Sequence, residues 1–183
     1  MAYKNKKILN PSFGQEILFL QTLRDTEGKF LEMQATYFPH SKRPALHYHP
    51  FQEEYFEVME GEMKVITGND HCRLKKGDRL HIPPNQIHTM WNDTNHHTIL
   101  LWKVSPALHT EYLLETASGF ATDGFITKSG NLPFLLSIFI AHQFSNVFRL
   151  AKPPFLVQRL VTSTLFPLFL FYGYKSKLQK YID

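Results

Sequence analysis

The chain has 183 residues, 43% of them apolar and 20% charged, which suits one folded domain with an appendage and speaks against a disordered polymer or two ordinary domains. The formal net charge is +4, but residues 1–120 carry 13 Lys and Arg against 14 Asp and Glu, whereas residues 121–183 carry 7 against 2. A nucleic-acid partner needs clustered cations, so the first part speaks against that class and the basic bias belongs to the tail.

The N-terminal stretch MAYKNKKILNPSFGQEILFLQTLR begins basic like a secretory leader. Gln15, Glu16 and Gln21 interrupt its apolar run and no small-residue cleavage site follows, so it reads as mature protein in the cytoplasm. Residues 16–24 and 30–38 alternate polar with apolar side chains (Ile17, Phe19, Leu23; Leu31, Met33, Ala35, Tyr37) around Asp25 to Gly28, which predicts a hairpin. Short segments at 54–60, 63–67, 71–75, 79–82, 87–92 and 97–104 follow, punctuated by Gly61, Gly68-Asn69-Asp70, Gly77-Asp78 and Pro83-Pro84-Asn85. That spacing predicts an all-β barrel or sandwich.

The texture changes after about residue 105. From Asn131, Leu132, Leu135, Leu136, Phe139, Ile140, Phe144 and Val147 recur at helical spacing, with Asn131 and Pro133 as the start signal. A second helix is expected after Pro153-Pro154, through Val157, Leu160, Val161, Thr164, Leu165 and Leu168, kinked or ended by Pro167. The expected division is a β domain over 1–110 and a mainly helical extension over 111–183 that packs on the barrel or covers an interface. A third reading, ranked below packing, is peripheral membrane contact, because PLFLFYGY precedes Lys175, Lys177 and Lys180. The 15 uncharged residues from Leu160 to Tyr174 are too few for a span.

The stretch HYHPFQEEYFEVMEG, residues 47–61, carries the chemistry. His47 and His49 share strand parity, so both rings project to one face with Cα atoms roughly 7 Å apart, within reach of one ion. The lone Cys72 excludes a disulfide framework and a thiolate zinc cage, so a metal here needs imidazole with carboxylate. Such ligands suit Zn, Fe, Mn, Ni or Co without choosing among them. By itself this His pair is a weak signal.

A second stretch, GDRLHIPPNQIHTMWN over residues 77–92, strengthens it. Gly77, Pro83, His88 and Asn92, taken with His47, His49, Glu54 and Gly61, resemble in order and spacing the two signature motifs of the cupin superfamily. Two departures stand out: Ser41 occupies the first glycine position of the first motif, and Asn85 the glycine of the second. Asn tolerates left-handed backbone, so that turn should form. The resemblance covers roughly residues 15–105, with 15 residues between Gly61 and Gly77 as in compact single-domain members. It implies a jelly-roll β-barrel (double-stranded β-helix) and makes His47, His49, Glu54 and His88 the ligands of one divalent ion. Glu53 also fits the distance from His49, but only Glu54 lies six residues before Gly61, so Glu53 is expected outside the barrel.

His71, His96 and His97 read as solvated, and His81 is equally compatible with pocket and surface. Phe38, Tyr55, Trp91 and Trp102 are candidates for an apolar pocket lining, though such residues are more often core. Three His and one Glu leave two positions of an octahedral ion for water, dioxygen or a chelating substrate. The family includes oxygenases, isomerases and decarboxylases as well as non-catalytic binding and regulatory proteins. The resemblance therefore implies a metal-dependent enzyme acting on a small oxygen-containing metabolite, with a non-catalytic small-molecule binder as the alternative and a homodimer as the family's habit. No catalytic residue beyond the ligand set stands out.

Overall fold

The computed structural model describes residues 1–127 and 131–182. In chain order its strands are β1 (Lys7–Asn10), β2 (Gln15–Gln21), β3 (Leu31–Tyr37), β4 (His47–Tyr48), β5 (Glu53–Glu60), β6 (Glu62–Thr67), β7 (Asp70–Lys75), β8 (Arg79–Ile82), β9 (His88–Trp91), β10 (Thr98–Ser105) and β11 (Arg149–Leu150). The helices are α1 (Thr110–Thr122), α2 (Phe134–Gln143), α3 (Phe155–Phe171) and α4 (Tyr174–Ile182). The expected β2–β3 hairpin forms, with Ile17 opposite Ala35 and Phe19 opposite Met33.

The strands make two antiparallel sheets, ordered β1-β2-β3-β10-β5-β8 and β11-β4-β9-β6-β7. Period-two alternation turns Leu31, Met33, Ala35 and Tyr37 inward. They meet Met63, Val65 and Met90 from the other sheet in one shared core, each buried side chain contributing ~1.5–3 kcal/mol. The expected single closed barrel is thus seen, among the described residues, as two sheets around a common core. With four helices added, the chain as a whole is mixed α and β rather than all-β.

Two turns fix how the sheets meet. Gly61 joins β5 to β6 at φ +78°, and a Cβ there would lie 2.5 Å from the carbonyl of His97. Asn85 takes the left-handed conformation at φ +66°, as its place in the second motif requires. Ser41, at the other departure, is buried and its hydroxyl accepts a hydrogen bond from the Asn92 amide at 2.9 Å. The side chain a glycine would lack here ties the two motifs together.

The extension differs from expectation in three ways. Helix α2 starts at Phe134, after Pro133, rather than at Asn131, and it ends at Gln143, so that Phe144 and Val147 lie beyond it. Helix α3 runs through Pro167 to Phe171. The amide that Pro167 lacks would have bonded Ser163, and both residues lie on an exposed face where water can take the freed carbonyl. The chain instead breaks at Gly173, φ +63°, and α4 departs at 83° to α3. Phe120 of α1, Leu136, Phe139 and Ile140 of α2, Phe169 of α3 and Leu178 of α4 form a second core.

The extension also returns to the sheets. Its short β11 pairs with β4, placing Arg149 opposite Tyr48 and Leu150 opposite His47, and the Ala151 amide donates to the Leu46 carbonyl at 2.8 Å.

Candidate metal centre

His47 on β4 lies directly opposite His88 on β9. His49 follows β4 by one residue, and Glu54 rises from β5 in the other sheet. The structure brings His47, His49 and His88 together as one cluster, with Glu54 beside His49 and His88. The ligand nitrogens of His47, His49 and His88 lie within 4.8 Å of one another, and ring centroids are 4.5 Å apart for His47–His88 and 5.4 Å for His49–His88. Glu54 joins on the side of the latter pair, its Oε2 standing 3.2 Å from His49 Nε2 and 3.0 Å from His88 Nε2. His49, His88 and Glu54 are buried.

Each imidazole is held from behind by a backbone carbonyl. His47 Nδ1 donates to Ala45 at 2.9 Å, His88 Nδ1 to Gln86 at 3.0 Å and His49 Nδ1 to Val147 at 2.7 Å. A carbonyl only accepts, so each Nδ1 carries the proton and each Nε2 presents its lone pair to the centre. Glu54 is steered likewise: the Trp102 indole donates to its Oε1 at 3.0 Å, leaving Oε2 turned toward the imidazoles.

The electrostatics couple Glu54 to its two nearest imidazoles. Burial opposes ionisation of Glu54, but the adjacent His49 and His88 outweigh it and hold the carboxyl well below the usual range. Burial likewise depresses His49, yet the Glu54 carboxylate wins and raises its pKa. His47 has a ring edge reaching solvent, but the protein packed around it, with His88 and His49 alongside, pushes its pKa down to about 3. His47 is therefore neutral at physiological pH, as a ligand must be.

These residues fit a divalent cation. The His49 Nε2 and Glu54 Oε2 atoms are fully buried and, though close together, make no aligned hydrogen bond. Two buried polar atoms that approach in distance but not in direction are costly unless a third centre lies between them. Nitrogen and oxygen donors at this spacing can close on one ion at ~2.1 Å with small side-chain rotations. Imidazole with carboxylate suits a borderline first-row metal.

Glu53 points outward, where its carboxylate accepts hydrogen bonds from His81 Nε2 and the Tyr55 hydroxyl, each at 2.9 Å. That places His81 on the surface, where His71, His96 and His97 are also exposed. Of the four aromatic candidates only Trp102 touches the site. Tyr55 stacks on His81 outside, Trp91 lies under Arg43 and Lys64, and Phe38 packs on His97. Val147 and Phe148, whose ring meets His47 edge-on at 5.8 Å, went unrecognised in the sequence. Tyr37 was noted only as an inward strand residue; burial and the Glu54 charge keep its hydroxyl protonated.

Two antiparallel sheets that gather three imidazoles, with a carboxylate against two of them, define a β-fold scaffold with a candidate metal site. Residues 33–104 match the family model described as the cupin domain, and this part of the chain is a cupin domain. Over 85 residues, 46% of this chain and 25% of the relative, it is 32% identical to quercetin 2,3-dioxygenase of Bacillus subtilis. Over 60 residues, 33% of this chain and 40% of the relative, it is 30% identical to the tetracenomycin polyketide synthase protein TcmJ of Streptomyces glaucescens. The chain thus spans less than half of either curated relative. Among solved structures it resembles a predicted oxalate decarboxylase from Thermotoga maritima, at TM-score 0.50 and 20% identity over 58% of this chain and 99% of that one. It resembles equally an RmlC-like cupin from Shewanella frigidimarina, at TM-score 0.50 and 19% identity over 61% and 94%. At that identity the likeness establishes the fold.

Proposed function

We propose that the protein is a metal-dependent enzyme of the oxygenase, isomerase or decarboxylase kind, acting on a small oxygen-containing metabolite at one divalent ion held by His47, His49, Glu54 and His88. The observation that carries this reading is that the ligand nitrogens of His47, His49 and His88 cluster, each ring held at Nδ1 by a backbone carbonyl, with Glu54 Oε2 against the Nε2 atoms of His49 and His88. The ion would supply Lewis acidity or, if redox-active, electron transfer to a bound oxygen-containing substrate. The chain's own residues orient the ligands and exclude water, and Tyr37 keeps a proton at its hydroxyl beside Glu54. The likeness to a quercetin dioxygenase supports the oxygenase arm.

Elemental analysis of protein purified without added metal, alongside His88→Ala, tests the reading. About one ion per chain in the wild type and its loss in the variant, together with turnover found by substrate screening, is the expected result. Metal content and turnover untouched by His88→Ala overturn it. A non-catalytic small-molecule binder is the second reading, favoured by the absence of any further His, Asp or Glu joining the cluster among the described residues; tight binding without turnover would select it.

For the tail we propose contact with an anionic bilayer surface. Along α3, Leu156, Leu160 and Phe171 are 78%, 67% and 82% exposed, and Lys152, Arg159, Lys175, Lys177 and Lys180 flank them. Residues 121–183 carry a net charge of +5. A second copy would bring like charge to this face, whereas anionic headgroups complement it.

A further inference from the structure

Beside the histidine cluster the extension forms a half-open cavity of about 890 Å³, the size of a small-molecule site. Nearly all of it is built by residues 134–162, and Ala45 is the one lining residue from before them. Ile138, Phe148, Phe155 and Val161 give it apolar walls, and Arg149 and Arg159 stand at it. No Asp or Glu lines it. Neither guanidinium has a carboxylate partner among the described residues. Arg149 is held in place by the Ser145 carbonyl, which accepts from its Nε at 2.8 Å, and by the Phe155 ring, 3.6 Å beneath its guanidinium. Arg159 is exposed at the rim.

An apolar enclosure with two unneutralised guanidinium groups and no acid selects an amphipathic anion. Guanidinium matches the planar carboxylate in particular. The cavity also shares walls with the metal cluster. Phe148 lines it and packs on His47, and Ala45 lines it while its carbonyl holds His47 Nδ1.

Resting on the metal-enzyme reading above, we propose that this cavity binds the substrate, an organic acid with an aromatic or long aliphatic body. Arg149 and Arg159 hold its carboxylate, and Phe148 is the shared wall beside His47, where the body approaches the ion. The extension is in that case the specificity element, and the cupin domain supplies the ion.

The test is calorimetric titration of the full chain, metal-loaded and chelated, with decanoate and with decyltrimethylammonium as its cationic counterpart. Decanoate should bind once per chain. Arg159→Gln, a rim substitution that leaves the cores untouched, should weaken it about tenfold, as loss of a charge-assisted contact does, with metal content unchanged. Ala141→Trp, which fills the cavity, should abolish binding while circular dichroism keeps the wild-type spectrum. In cobalt-loaded protein, decanoate should shift the visible bands, and Phe148→Ala should reduce that shift. Equal affinity for the two amphiphiles, or for wild type and Arg159→Gln, overturns the proposal, since it marks simple adsorption on the exposed face of α3. An ion bound once per chain with no decanoate binding also overturns it and leaves the metal reading standing. Decanoate binding by a protein that takes up no metal supports the cavity and sinks the enzyme reading instead.

Discussion

Glu54 shows how much a single hydrogen bond determines. Its Oε1 is occupied by the Trp102 indole at 3.0 Å, so only Oε2 faces the imidazoles. Trp102→Phe keeps the ring and most of its packing but frees the carboxylate to rotate. Metal affinity should fall about 10–100-fold, the usual cost of losing a partner behind a ligand, with little loss of stability; competition against a chromophoric chelator would measure it, and unchanged affinity would refute the role. The ligands were legible because His47, His49, Glu54 and His88 sit at characteristic separations. What holds them was only half legible. His47 and His88 each bond the carbonyl two residues upstream, Ala45 and Gln86, a local geometry that any sequence can provide. His49 reaches Val147, 98 residues away, and a backbone acceptor at that distance leaves no mark in side-chain chemistry.

Among the elements, α1 was concealed by an inverted pattern. Its buried residues are polar from Thr110 through Glu111, Glu115, Thr116 and Ser118, and apolar only at Phe120 and Ala121 near its end. Glu111 accepts from the Leu23 amide at 2.9 Å and Glu115 pairs with Lys6 at 2.5 Å, so polar bonds dock the helix where periodicity analysis seeks leucines. The two-residue strand β11 was equally hidden, since it exists only through its pairing with β4.

Helix α4 rests against α1 at Gly119, where an added Cβ would collide with the Tyr181 ring. Ala normally gains up to ~1 kcal/mol over Gly inside a helix. Here overpacking costs ~1–3 kcal/mol, so Gly119→Ala should lower the melting temperature. A rise would show that α4 is not seated there. Asp123 secures the same contact, accepting from Lys180 and, at 2.7 Å, from the Tyr181 hydroxyl. Those bonds, Lys180 first, hold its pKa below 3.8. Its contribution to stability is therefore fully present above that unfolded value and disappears as pH falls through the lower folded one. Melting curves of wild type and Asp123→Asn should differ at neutral pH and converge only as pH falls through the lowered folded-state pKa; a constant gap would contradict the assignment.

At the scale of the molecule, charge and apolar surface are segregated. The cupin part is nearly neutral, while the tail carries +5 beside the bare side chains of α3. Full-length protein should sediment with vesicles containing phosphatidylserine, release as salt shortens the Debye length, and bind more weakly as Leu156→Ser with Phe171→Ser. Protein left in the supernatant at low salt would remove bilayer contact. The cupin fold was legible because alternation and turn residues recur at short spacing. The tail's arrangement was not, because α3 is apolar nearly all round and periodicity alone gives it no inner face.

The Val147 carbonyl also sets a timetable. At ~5–20 residues per second, roughly 5–20 s separate synthesis of His49 from synthesis of the residue that steers its ring. Once His88 has been made, the nascent domain has every donor side chain, yet one imidazole can still swivel until Val147 follows. A cation captured early meets a loose grip and can leave again, so selection among competing ions is postponed until the last third of the polypeptide has come home.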